Sequence, residues 1–408
     1  MLRSVALGFV LVLCAGIARG EEIRTLGGAF DEELISIGGS PLTLKTAGHS
    51  LPLGEVKAVR FQQPPSQLRG TKVLLVNGDS VRGVISGGSS EGVTVRSGGL
   101  GEVTISFDYV RALIPETSPE LERQLEASIQ PGQTVDSVVQ KDATYEGGVK
   151  TIQPGRVVID TDEDGGSRVG THSLRLAEVQ MVTIGVFDDP PADPEGLHVG
   201  VVLLDGSRLH GELVGYSGGV LQLKHFLGGG EPLSIESSHL AELAVKNGAF
   251  VYVSDLDPST LKQEFPAGFL FDAETWGYKR DSNVTGGPLK LGGQVFEKGL
   301  GVHSYSELNF RLDGKFARFR TQVGLDDSVR RLGMPGFGGA VFRVLLDGKP
   351  AKEVGEAGLG LSKGSDPKRL DVDVSGVQTL TLIVDFDPTS LHVLGRANWA
   401  DAHLIRSK

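Results

Sequence analysis

Six side chains in the last third of the chain combine a flat or planar face with hydrogen-bonding tips: Trp276, Tyr278, His303, Tyr305, Arg396 and Trp399. Asp401 adds an acceptor two residues after the last of them. An aromatic face stacks on the apolar side of a sugar ring, and paired donors and acceptors satisfy its hydroxyls. The set therefore has the chemistry of a carbohydrate site. Each member also has a structural alternative. Trp399 falls in what reads as a central strand, where core packing competes. His303 follows Gly-Val at a strand start, as a hydrogen-bonded structural histidine would. Trp276 and Tyr278 share one face of an extended segment and could cap a sandwich, and the same holds for Tyr305. Asp326-Asp327 offers clustered carboxylate oxygens of the kind calcium takes. The competing role is an Asp turn, in which the side chains accept from backbone amides. Asp385 and Asp387 form a second, weaker acidic loop, and Asn283-Val284-Thr285 is a glycosylation sequon.

Catalytic signatures are missing. The chain has no His-Glu-x-x-His and no Walker loop. No acid pair is marked as the two carboxylates of a glycosidase. His303, Ser304 and Glu307 are the nearest thing to a triad, but neighbours on a strand point to opposite faces, which separates His303 from Ser304. The residue types favour binding over catalysis.

The elements that must position these groups read as β throughout. Gly299–Asp327 is the organising stretch. It contains two alternating segments, Glu307–Leu312 and Ala317–Val323, joined at Asp313-Gly314 as a half-buried antiparallel pair. Phe250–Val253 and a turn at Asp255–Lys262 precede it, with Asp257-Pro258 suited to cap a helix. Ala340–Leu346, Leu370–Val374, Thr379–Val384 and Trp399–Ile405 follow as strands. Many short antiparallel strands with frequent turns predict a β-sandwich.

The motifs FxKGLGxHxxSEL, FxxxVGLDD and a late NWADAxL, in this order between about Phe250 and Arg406, resemble the NPCBM family of carbohydrate-binding modules, related to modules of family-98 glycoside hydrolases. The resemblance implies a galactose-binding-like jelly-roll sandwich that holds a glycan or polysaccharide at its loop edge. It implies that any metal there is structural, with calcium the candidate at Asp326 and Asp327. One stretch departs from the family pattern: DFDPTSLHVLGRANWADA stands where an acidic Asp-Gly-Asp-like loop is expected.

The first 20 residues, MLRSVALGFVLVLCAGIARG, read as a cleaved signal peptide with Arg3, an apolar run Val5–Ile17 and a small-x-small site at 18–20. This predicts a secreted or periplasmic, cell-envelope protein with no span after cleavage; a lipid on Cys14 is the alternative anchor. Cys14 is the chain's one cysteine, so the mature domains must stand on apolar cores. Removing residues 1–20 takes away Arg3 and Arg19 and no acid, which moves the net charge from −11 to −13. Such a surface opposes nucleic-acid partners.

Residues 23–248 repeat one small unit four times. VLLVNGDSVRGVISGGSSEGVTVRS and VGVVLLDGSRLHGELVGYSGGVLQLK are the clearest pair, with hairpin turns at Asn77-Gly78 and Asp205-Gly206. The copies resemble Sm-like or SH3-like small barrels. The expected organisation is two repeats in 21–115, a linker helix in 116–131 capped by Thr117 with Glu120, a third repeat in 132–187, a Pro-rich linker in 188–196, the last repeat in 197–248 and the sandwich in 249–408. A cell-envelope scaffold that contacts proteins rather than sugars is the second functional expectation.

Overall fold

The computed structural model describes residues 20–61, 68–130, 132–161, 169–185, 191–192, 194, 196–266, 268–330, 337–389 and 392–407. The expected signal segment, with Cys14, lies outside them except for Gly20, and so does most of the Pro-rich linker. The protein is an all-β chain of antiparallel sheets, and it divides into two compact units, Met1–Gly248 and Ala249–Lys408. Among the described residues no helix is long and apolar enough to cross a membrane.

The first unit is one 21-stranded sheet built from four similar meanders. In each, the opening strand pairs antiparallel with the closing one: Glu21–Thr25 with Val56–Arg60, Thr71–Leu75 with Val110–Ile114, Asp136–Gln140 with Val179–Thr183, and His198–Leu203 with Leu240–Lys246. A single 3-10 turn precedes every closing strand, at Leu53–Glu55, Phe107–Tyr109, Leu176–Glu178 and Ser237–His239. The period-2 pattern sets the inward face. In the second copy Val73, Val81, Val93, Ile105 and Leu113 are all buried in the core. Gly78 and Gly206, with φ of 87° and 91°, make the tight turns that an L side chain resists. Copies join out of sequence order. The first closing strand pairs with the fourth, Val59 opposite Leu243, and the second with the third, Leu113 opposite Val182.

The helix Pro119–Ser128 lays Leu121, Leu125 and Ile129 against Ala112, Ile114 and Met181. Its cap is Ser118, not Thr117: the Ser118 hydroxyl accepts from the Leu121 amide at 3.3 Å. Pro119 takes the first helical position, which shifts the cap by one residue and removes Glu120 from a capping box.

The second unit is a β-sandwich. One sheet carries Lys279–Arg280, Gly299–His303, Arg396–Arg406, Phe316–Leu325 and Lys368–Asp373, with Phe250–Tyr252 also on Arg396–Arg406. The other carries Thr260–Gln263, Ser306–Arg311, Thr379–Phe386, Gly339–Leu346 and Lys349–Pro350, with Leu359–Ser362 on Gly339–Leu346. Phe310, Phe319, Phe342, Leu382 and Trp399 fill the space between the sheets. Two expectations are corrected. The strands on either side of Asp313-Gly314 do not pair with each other. Ser306–Arg311 pairs with Thr379–Phe386, whereas Phe316–Leu325 pairs with Arg396–Arg406. Asp313 and Gly314, φ 51° and 68°, turn the chain from one sheet to the facing one. Alternation marks a half-buried strand whether its neighbour is near or far in sequence, so it could not distinguish the two arrangements. Asp257-Pro258 starts no helix: Val253–Asp255 is a 3-10 turn and Thr260–Gln263 a strand.

Candidate functional site

Strand Gly299–His303 lies beside Arg396–Arg406 with His303 opposite Arg396, which brings two of the candidate residues to one end of the sandwich. The segment after Thr260–Gln263 supplies the third. Asp272 caps the single turn Ala273–Trp276 by accepting from the Glu274 amide at 3.1 Å, and this sets Trp276 at the turn's end. Trp276 is therefore helical, and the extended segment expected around it is corrected. The Trp276 ring meets His303 edge-on at 5.0 Å, and the Arg396 guanidinium lies 5.3 Å from the Trp276 ring centre. Phe265 packs on the same histidine at 5.1 Å and on Phe271 at 5.1 Å. His392 completes the group, 4.8 Å from Phe265 and 4.6 Å from Phe269. Phe269 is 59% and Leu270 90% exposed, so an apolar rim borders the rings.

Inside the group the polar atoms are unevenly satisfied. His303, 4% exposed, donates from Nδ1 to the Ser304 carbonyl at 2.7 Å. Burial pulls its pKa down to about 4, against that hydrogen bond, with His392 and Arg396 adding to the fall. The ring is neutral at pH 7. By contrast Arg396 Nε, His392 Nδ1 and Ser304 Oγ are buried with no partner among the described protein groups. Gly395 makes the loop's close approach possible: a Cβ there would lie 2.0 Å from Ser304 Oγ. A ring-lined edge beside a guanidinium can stack on an apolar face and bond to what projects from it.

The other predicted residues go elsewhere. Trp399 is 0% exposed and packs on Phe342 at 5.2 Å; it is core, and its place among the sugar contacts is corrected, because its strand is central to the sheet. Tyr278 packs against the same core. Tyr305 donates to Glu307 at 2.7 Å, lies under Lys262 Nζ at 5.2 Å and faces Phe386. Burial and the Glu307 carboxylate push its phenol pKa up. Asp401 sits beside Lys298, its amide donating to that carbonyl at 2.8 Å, five residues along the strand from Arg396. At about 3.3 Å per residue that is roughly 17 Å away, too far to share a ligand ring. Phe265, Phe271 and His392 are the members that sequence reasoning missed. The available signal was the aromatic run FPAGFLF and the loop that departs from the family pattern, which contributes His392 and Arg396.

Residues 250–405 match the model of the NPCBM/NEW2 domain family. The second unit is an NPCBM domain. A CBM51 module of a Clostridium perfringens GH95 protein, solved with methyl-galactose, is 24% identical, covering 38% of this chain and 99% of that one with a TM-score of 0.31. Tandem CBM51 modules of the family 98 glycoside hydrolase of Streptococcus pneumoniae are 13% identical over 95% of this chain and 88% of theirs, TM-score 0.32. A further Clostridium perfringens structure, of CBM51-2 with GlcNAc and INT domains, is 22% identical over 46% of this chain and 36% of that one, TM-score 0.33. A Renibacterium salmoninarum protein provisionally named endo-alpha-N-acetylgalactosaminidase is 40% identical over 63 residues, which are 15% of this chain and 4% of that protein's length.

Within the NPCBM domain the two expected calcium ligands have another task. Asp326, 1% exposed, accepts from Asn283 Nδ2 and the Ser328 amide on one oxygen, at 3.2 and 3.0 Å. It accepts from Asn398 Nδ2 and the Lys290 amide on the other, at 2.7 and 3.2 Å. Asp327 takes the Gly292 and Gly293 amides at 2.9 and 2.7 Å. Six N–H donors point at these carboxylates, so the donor set does not fit a cation, and the calcium expectation is corrected. Among the described residues no group of three His, Cys, Asp or Glu side chains is placed to hold a metal ion. The Asn283 sequon is likewise occupied. Asn283 is buried, and its Oδ1 accepts from the Thr285 amide and hydroxyl and from the Gly287 amide. A glycan cannot be attached to it in the folded domain.

Proposed function

We propose that the chain is an exported, non-catalytic glycan-binding protein. Its NPCBM domain holds a sugar against Trp276 and Phe265, with Arg396 and His392 supplying polar contacts. The observation that carries this reading is the convergence of the Trp276, Phe265 and His303 rings with the Arg396 guanidinium at one end of the sandwich. Membership of a carbohydrate-binding module family supports it. Export is supported by the apolar run Val5–Ile17 and the small-x-small site. The four meanders of the first unit are read as a scaffold for the domain.

A glycan-array screen of the full chain, with and without chelator, tests the reading. Saturable binding that is lost in Trp276→Ala and unchanged by chelator is the expected result. A clean negative from protein with native tryptophan fluorescence overturns it, and retained protein partners in that case would move the function to an envelope scaffold. Hydrolysis of any bound glycan would overturn the non-catalytic part alone.

A further inference from the structure

The charge balance of the ring cluster narrows the ligand class. Arg396 has its guanidinium laid on Trp276 and its buried Nε without a partner, and among the described residues no carboxylate forms an ion pair with it. The nearby acids are engaged elsewhere. Glu264 pairs with Lys262 at 3.0 Å. Glu307 accepts from Tyr305 Oη at 2.7 Å and Asn309 Nδ2 at 3.3 Å. Asp272 is taken up by its own helical turn, accepting from the Glu274 amide and the Thr275 hydroxyl.

This composition suits some sugars and not others. Hydroxyls are donors and acceptors at once, so a site selective for a neutral sugar normally offers acceptors, carboxylates above all, beside its donors. Here the one permanently charged side chain is a cation and no carboxylate joins it. A ring carboxylate or sulfate is acceptor-only and matches the planar fork of a guanidinium, and stacking on Trp276 holds that fork in place. We propose that this edge selects an acidic sugar, one bearing a carboxylate or sulfate that pairs with Arg396 while the ring lies against Trp276 and Phe265. The proposal rests on the glycan-binding reading above.

The net charge of −11 repels polyanions at long range, which makes salt dependence a poor readout. Matched ligands that differ only in the charged group, compared between the native chain and Arg396→Gln, separate local pairing from that repulsion. Isothermal titration of the full chain would use three pairs: polygalacturonate and its methyl ester, a sulfated galactan and its desulfated form, and sialyllactose and its sialic-acid methyl ester. The expected result is at least one pair in which the acidic member binds about tenfold tighter or more. Which pair responds tells a uronate from a sulfate or a sialic acid. Arg396→Gln should erase that difference, Arg396→Lys should retain part of it, and Trp276→Ala should weaken both members. Equal binding within every pair, or tighter binding of the neutral members, overturns the proposal and leaves the glycan-binding reading standing. No binding to any of the six, from protein with native tryptophan fluorescence, overturns the proposal; the array screen above then decides whether the glycan-binding reading falls with it.

Discussion

Both units bury histidine, and they treat it in opposite ways. In the first, Asp79 from the second copy clasps two histidines from the fourth. His210 Nδ1 lies 2.5 Å from one oxygen, and His225 Nε2 donates to the other at 2.8 Å. His225 Nδ1 in turn accepts from the Leu227 amide at 3.1 Å, and Asn77 Nδ2 donates to Asp79 at 3.0 Å. Burial alone would raise the Asp79 pKa, but the bonds from His210 and His225 outweigh it and hold the carboxyl below its ordinary value. In the second unit His392, Arg396 and Ser304 keep buried polar atoms without partners. A satisfied buried network fixes one packing, whereas an unsatisfied one costs stability that folding alone does not return. The difference sets a satisfied clasp between repeats against the edge proposed to take a ligand.

The largest effect that sharpens this contrast is at the other satisfied carboxylate. Asp326→Ala strands four donors in the sandwich and should cost about 4 kcal/mol. Urea unfolding followed by tryptophan fluorescence reports it cleanly, because both tryptophans of the chain, Trp276 and Trp399, lie in the second unit. A loss under about 1 kcal/mol would break the assignment of Asp326 as a hub.

Acid should act next. His303 has a folded pKa of about 4 against an ordinary 6.5, so at pH below 6.5 the unfolded chain takes up a proton that the folded domain refuses. Stability is full above pH 6.5 and falls as pH drops towards 4, by about 3 kcal/mol in total. His303→Gln should flatten that slope in the same unfolding experiment. An unchanged slope would show that other groups set it.

Asp79→Ala should cost about 2 kcal/mol, confined to the first unit, where it leaves His225 without its acceptor. Hydrogen exchange would register faster opening of the strands around His210 and His225, with the sandwich unaffected. Smallest in free energy is Trp276→Ala, which should alter stability by under about 1 kcal/mol yet weaken glycan binding about tenfold or more. Equal losses of stability and binding would make Trp276 a structural cap and erase the distinction between the two clusters.

Local chemistry was well written in the sequence. Alternation, Asx-Gly turns and the four-fold repetition marked β meanders and a sandwich, because side-chain period and turn conformation are properties of neighbouring residues. Motif order was enough to mark the NPCBM domain. Partner choice between strands was not legible: Glu307–Leu312 and Ala317–Val323 alternate alike, and only packing sends them to opposite sheets. Nor could residue type tell Trp276 from Trp399. Both are large amphipathic rings, and one reaches the edge because Asp272 caps a turn beneath it, whereas the other is enclosed by Phe319 and Phe342. Asp326 read as a cation ligand because its four amide donors come from residues 283, 290, 328 and 398, three of them distant in sequence. The sequence by itself determined the alternating strands, their turn chemistry and the family, all of which depend on short-range geometry. Tertiary structure decided which polar atoms are satisfied and which rings share an edge, because hydrogen-bond and stacking partners are set by distance in space rather than along the chain.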